Sequence, residues 1–148
     1  MSKKRVGKII ELFISTKESS TRVNKPLLEL ELAGAVGDKF YDKDNSRSIL
    51  ITSEDSYNLI KEYDIEMPYG YLGENILMDY NPYALNMGSR FQIGTAVLEI
   101  SQNCTICNHL STLDKRIPKL LKNDRGIFAK VVKPGKISKG DDIYMLEE

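Results

Sequence analysis

The stretch Leu28-Glu29-Leu30-Glu31-Leu32 alternates apolar and charged side chains with a period of two, the pattern of a strand with one dry and one wet face. Gly7 to Ile14 reads similarly. There Ile10, Leu12 and Ile14 fall on one side and Ile9 and Phe13 on the other, which predicts a strand covered on both faces. Short strands are also predicted over Ser48 to Ile51, Asn75 to Met78, Ile127 to Val132 and Asp142 to Leu146. Arg90 to Ile93 and Thr95 to Ser101 form a hairpin turning at Gly94, with Leu98 and Ile100 on one face. Helical signals are few. Thr52 with Asp55 resembles a capping box, and Tyr57, Ile60 and Tyr63 then follow at helical spacing, predicting a helix over Ser53 to Tyr63. A second helix is expected after a Thr112 cap, carrying Ile117, Leu120 and Leu121. The Met67 to Gly73 segment is turn-rich and irregular, and Pro134-Gly135 and Lys139-Gly140 read as turns. Short strands between frequent turns favour a mainly β barrel or sandwich over a doubly wound sheet.

At 148 residues the chain is expected to be one domain spanning residues 1–148, large enough to stabilise a core without disulfides. Twenty-one Lys plus Arg balance twenty-one Asp plus Glu, so no global field gathers phosphates or an anionic bilayer, and neither nucleic acid nor membrane is an expected partner. Apolar runs such as Leu12-Phe13-Ile14 are far short of a membrane span, and no apolar signal core follows Lys3-Lys4-Arg5. A cytoplasmic location is expected. Two cysteines three apart suit paired-thiol chemistry in a reducing compartment.

The sharpest candidate site is Gln102-Asn103-Cys104-Thr105-Ile106-Cys107-Asn108-His109, which leaves a predicted strand for a polar loop. A cysteine reacts, or binds a soft metal, as thiolate, and needs a nearby positive charge to lower its pKa. None lies beside it in sequence. Arg47, Arg90, Lys115 and Arg125 are the candidates that the fold could bring close. Four readings stay open: a zinc site, for which Cys104, Cys107 and the single histidine His109 are too few; a thioredoxin-like pair without the expected helix; two ordinary loop thiols; and a reactive sulfur site. Gly73-Glu74-Asn75 is a second feature, a glycine-framed turn whose amide could read a polar ligand or whose carboxylate could simply be solvated. Gly37-Asp38 and Gly140-Asp141 are ordinary turn pairs taken singly. No phosphate-binding loop, dinucleotide fingerprint, nucleophile elbow or paired-histidine motif occurs.

Taken in order, these segments resemble the MOSC domain, the module at the C-terminus of molybdenum cofactor sulfurases and in short stand-alone bacterial proteins. The resemblance runs through Gly37-Asp38, Arg47 before Ser48-Ile49-Leu50-Ile51, Gly73-Glu74-Asn75-Ile76, Leu85 to Arg90 and Ile93 to Gln102. It continues through Cys107, Arg125 to Val131, Pro134-Gly135 and Gly140-Asp141, covering Val6 to Leu146. It implies a closed MOSC-type β-barrel with a few peripheral helices. It also implies that Cys107 carries sulfur as a persulfide delivered by a pyridoxal-phosphate-dependent cysteine desulfurase, or ligates the metal of a molybdenum-pterin cofactor. Asn75, Glu74, Gly73, Asp38, Arg47 and Arg125 are the implied cofactor-binding residues. Other expected roles are a carrier module for that cofactor, serving a molybdoenzyme, or a small reductase of N-hydroxylated compounds. Many relatives have histidine where this chain has Lys39-Phe40, and arginine and proline where it has Cys104 and Ile106. Cys104 is thereby a candidate resolving thiol that releases sulfur by forming a disulfide with Cys107.

Overall fold

A computed structural model describes residues 2–16, 22–44, 47–104 and 110–147. The elements in chain order are β1 (Ser2–Ile14), β2 (Val23–Lys25), β3 (Leu27–Glu31), β4 (Gly34–Ala35), β5 (Ile49–Ser53), α1 (Glu54–Lys61), β6 (Ile76–Met78), β7 (Arg90–Ile93) and β8 (Ala96–Asn103). After these come α2 (Leu110–Leu113), α3 (Ile117–Leu120), β9 (Ile127–Lys133), β10 (Gly135–Ser138) and β11 (Asp142–Glu147). Neighbouring strands run β11-β7-β8-β9-β5-β6-β1, and β1 pairs back onto β11, closing a barrel. Closure leaves no raw edge along this ring. β2 extends the sheet beyond β1, and β10, β3 and β4 form a separate small sheet. All strand pairs are antiparallel except β5 with β6, whose parallel pairing requires a crossover; α1 and the segment after it supply one.

Most of the predicted strands are present, and the departures have local causes. β1 starts earlier than expected, at Ser2, and its pairing shifts register between Ile9 and Glu11. That irregularity breaks the period of two. Ile9, Leu12 and Ile14 therefore share the barrel core, whereas Ile10 packs outward against the helices, unlike the partition expected from strict alternation. Leu32 is 55% exposed in the turn after β3 rather than the end of a strand. β10 begins at Gly135, so Pro134 alone separates it from β9. The hairpin turn at Gly94 stands as predicted: φ there is +55°, and an added Cβ would lie 2.3 Å from the Lys136 carbonyl oxygen.

α1 is capped by Ser53, not Thr52; the Ser53 hydroxyl accepts from the Asp55 amide at 3.1 Å, and Thr52 is a buried strand residue. The helix ends at Lys61, leaving Tyr63 46% exposed beyond it. Thr112 lies inside the single turn of α2, not at the start of α3, which begins after Arg116 without a side-chain cap and with proline in its first turn. Two apolar clusters result. One fills the barrel with residues such as Ile49, Ile51, Phe91, Leu98 and Ile143, and the other joins Tyr57, Ile60, Leu72, Leu77, Ile117 and Leu121 beneath the helices. β6 lies between the two, with Ile76 and Met78 in the first and Leu77 in the second, and is buried along its whole length. No helix among the described residues is long and apolar enough to cross a membrane.

Candidate functional site

Leu50 on β5 pairs directly with Phe128 on β9, and their neighbours Ile49, Ile51, Ile127 and Ala129 all belong to the barrel core. By alternation Leu50 and Phe128 face outward. They form the floor of a cavity of about 760 Å³, within the size range of small-molecule sites. Its walls come from the loop carrying Lys39, Phe40, Lys43, Asp44 and Arg47, from the Pro68 to Gly73 strap, and from Arg22, Cys104 and Arg125.

Each wall is fastened by a buried acid. Asp38, 5% exposed, accepts the Ser15 amide at 2.7 Å through Oδ1 and the Phe40 amide at 3.2 Å through Oδ2, while the Lys39 amide donates to the Ser15 carbonyl at 2.7 Å. This fixes the start of the basic loop against the end of β1. Behind the strap, Glu74 is wholly buried. Its Oε2 accepts from the Tyr57 hydroxyl at 2.6 Å and the Gly70 amide at 3.2 Å, and the Gly70 and Leu72 amides also donate to the Tyr57 oxygen at 3.1 and 3.3 Å. Burial, and then the Glu74 charge, hold the Tyr57 phenol well above the ordinary tyrosine range. The Tyr69 ring stacks edge-on against Tyr57 at 5.0 Å, presenting its other side to the cavity.

Arg22 bridges the two walls. Nη2 donates to the Gly73 carbonyl, and Nη1 lies 3.5 Å from Asp38 Oδ1. Burial pushes this guanidinium's pKa down, and Asp38 opposes the shift most strongly, ahead of Glu74. Gly73 has φ +89°, and a Cβ on it would approach Arg22 Nη2 to 3.2 Å, so the position favours glycine for both backbone and contact reasons. On the opposite side, the Cys104 amide donates to the Gly126 carbonyl at 3.1 Å, Arg125 is 3% exposed, and the Arg47 guanidinium lies 4.9 Å over the Phe128 ring.

Of the residues singled out from sequence, Cys104, Gly73, Asn75, Arg47 and Arg125 line this cavity. Asp38 and Glu74 do not; they sit behind its walls, and the solvated carboxylate considered for Glu74 is not what the fold forms. Asn75 has its amide turned to the scaffold: Oδ1 accepts from the Leu50 amide at 3.0 Å and Nδ2 donates to the Phe13 carbonyl at 3.2 Å. Arg90 is engaged elsewhere by Glu99 at 2.9 Å, and Lys115 is not on the lining. Cys107 and His109 lie outside the described residues. Sequence reasoning missed Arg22 and Lys43 and noted Lys39-Phe40 only as a departure; nothing local marks Arg22, whose role arises from two partners distant in the chain.

The described lining thus carries five basic side chains, Arg22, Lys39, Lys43, Arg47 and Arg125, against one acid, Asp44. Among the described residues no group of three or more His, Cys, Asp or Glu is arranged to hold a metal ion. Arg22 Nη1 is buried without a hydrogen-bond partner, a donor suited to an oxyanion. The aromatic rings of Phe40, Tyr69 and Phe128 suit a flat heterocycle, and Cys104 adds a sulfur to the wall. An anionic, phosphate-bearing pterin fits this donor set.

The family model described as MOSC domain matches residues 38–144. The crystal structure of the YuaD protein from Bacillus subtilis superposes with a TM-score of 0.84 at 19% identity, covering 99% of both chains. YiiM from Escherichia coli gives 0.70 at 20% identity over 97% of this chain and 70% of that one. YiiM from Geobacillus stearothermophilus gives 0.69 at 15% identity over 99% and 76%. At these identities the structures support the fold alone. No curated protein matches the sequence significantly.

Proposed function

The chain belongs to the MOSC domain family, and from that premise we propose that its cavity binds the phosphate and pterin of a molybdenum-pterin cofactor, and that Cys104, on its wall, works with Cys107 to handle sulfur. The observation that carries this reading is the gathering of five basic side chains around one 760 Å³ cavity in a chain whose net charge is zero. Arg22 and Arg125, deeply set, would hold the phosphate; Lys39, Lys43 and Arg47 would draw it in; Phe40, Tyr69 and Phe128 would flank the ring. When bound, the cofactor supplies a metal centre able to accept sulfur or a thiolate. The chain's own contribution is a set of basic side chains around the cavity that Cys104 also lines.

For sulfur release the proposed step uses Cys107 as a persulfide loaded by a cysteine desulfurase. The Cys104 thiolate attacks the Cys107 Sγ, forming the Cys104–Cys107 disulfide. The broken sulfur–sulfur bond's electron pair leaves with the outer sulfur as hydrosulfide, which the cofactor or a molybdoenzyme partner takes. A dithiol reductant then restores both thiols. Purification from a host that makes the cofactor, followed by pterin and molybdenum analysis, tests binding, and intact-mass analysis after incubation with desulfurase and cysteine tests loading. One pterin per chain, reduced in Arg125→Gln, together with added sulfur on Cys107, is the expected result. Absence of both pterin and added sulfur would overturn the proposal. Pterin retained in the Cys104→Ser, Cys107→Ser double variant, with no sulfur loading of the native chain, would instead identify a carrier module.

A further inference from the structure

Two cavity walls that are far apart in sequence meet at one side chain. The basic loop is anchored through Asp38, and the strap through Glu74 and Tyr57; Arg22 touches the first at Asp38 Oδ1 and the second at the Gly73 carbonyl. Its Nη1 is buried and lies 3.5 Å from Asp38 Oδ1, an ion-pair separation, but makes no hydrogen bond. Buried donors normally find partners. Arg22 is also a lining residue of the cavity, its side chain 14% exposed, so an acceptor held there would meet the same guanidinium.

We infer that Arg22 is an anion-completed clamp: an oxyanion in the cavity takes the Nη1 donor and thereby locks the basic loop and the strap together. Arg22 is a positioning residue as well as a ligand contact, because each of its two fixed partners belongs to a different wall. A lysine keeps the charge but lacks the planar fork that reaches both partners and the anion at once. Anion binding and wall order are therefore one event in the native chain, and separate events in Arg22→Lys. The inference rests on the anion-binding reading of the cavity and adds the coupling to it.

Calorimetry with inorganic phosphate and with pyrophosphate, combined with amide hydrogen exchange on the full chain, tests it. In the native chain, added anion should slow exchange at Ser15 and Lys39 in one wall and at Gly70 and Gly73 in the other, with a single saturation midpoint. Arg22→Lys should weaken binding by roughly 10- to 100-fold, the range for a lost charge-assisted hydrogen bond, and the two walls should no longer gain protection together. Arg22→Ala would leave buried Asp38 without its nearby cation, so Arg22→Lys, which keeps that charge and both Asp38 acceptor bonds, is the diagnostic variant, and its circular dichroism should match that of the native chain. Unchanged affinity with paired protection in Arg22→Lys would overturn the clamp and leave cofactor binding standing. Failure of the native chain to bind either anion would also overturn it, and the pterin content of the purified protein would show separately whether the wider reading falls too.

Discussion

Replacing Asn75 separates a scaffold role from a ligand-binding one. The Asn75 backbone amide donates to the Leu50 carbonyl at 2.8 Å while its side-chain Oδ1 accepts from the Leu50 amide; its carbonyl accepts from the Phe13 amide at 2.9 Å while Nδ2 donates to the Phe13 carbonyl. One residue thus closes a two-bond ring on β5 and another on β1, which requires a side chain with both a donor and an acceptor. Asn75→Ala leaves the Leu50 N–H and the Phe13 C=O without those partners at a position only 3% exposed. At about 1–3 kcal/mol for each orphaned group the loss is about 2–6 kcal/mol, a large share of a total stability of roughly 5–15 kcal/mol. Asn75→Asp keeps the acceptor but sets a carboxylate oxygen against the Phe13 carbonyl, so it should be at least as damaging at pH 7. The introduced carboxyl, favoured neutral in the fold, has a raised pKa; stability is recovered below its unfolded pKa and lost as pH rises. Urea unfolding followed by circular dichroism should order native, Ala and Asp variants in that sequence. Stabilities within about 0.5 kcal/mol of native, with pterin binding abolished, would refute the scaffold role and make the amide a ligand contact.

Tyr57→Phe removes the phenol that joins Glu74 to the Gly70 and Leu72 amides, and should lower stability by about 1–3 kcal/mol; an unchanged melting temperature would contradict the anchoring role. Burial raises the pKa of both Tyr57 and Tyr83, so folding favours their neutral forms: that stability is fully present below the ordinary tyrosine value of about 10 and is lost as pH rises beyond it. In an ultraviolet titration these two of the eight tyrosines should ionise last and together with unfolding, and full reversible ionisation near pH 10 in the folded state would disprove it. Gly73→Ala should weaken phosphate binding as well as stability, whereas Gly88→Ala, with similar φ of +92° and nothing within 4 Å of the added Cβ, should cost about 1–2 kcal/mol of backbone strain and leave binding intact. Equal effects on binding would remove the Arg22 contact as the reason.

Much of the strand pattern was legible because strands declare themselves locally. Leu28 and Leu30 are buried between exposed or half-exposed neighbours as their period requires, and Gly94 turns the hairpin where its freedom is needed. The register shift in β1 was not legible, since no side chain marks the residue at which pairing slips, and Ile10 consequently points away from its expected companions. For the site, sequence marked Arg47, Arg125, Asn75 and Cys104 as candidates, and all four reach one cavity. It did not distinguish Asn75 facing the backbone from Asn75 facing a ligand, nor place Asp38 and Glu74 behind the walls, because those choices depend on which distant amides arrive beside them. Arg22 was silent for the same reason.

A zero net charge conceals a local field. Outside the cavity, Glu99 pairs with Arg90 and Lys130, Asp142 with Arg5, Glu11 with Lys139 and Asp114 with Arg116. The Arg116 hydrogen bonds hold the Asp114 pKa down to about 2, a sign of how local such pairing is. The cavity gathers five basic groups over an apolar floor, with Asp38 and Glu74 behind its walls, and with a screening length of about 8–10 Å a ligand there responds to these nearby charges rather than to the chain's sum. Asp44 is the one acid on the described lining, so its removal should act in the opposite direction to every other substitution considered. At separations of about 8 Å and intermediate screening, one charge changes anion affinity by roughly two- to fivefold. Asp44→Asn should therefore tighten phosphate binding by that factor at low salt, and the gain should fade as salt is added. Weaker binding in this variant would mean that Asp44 organises the loop rather than opposing the anion, and the electrostatic account of the cavity would fail.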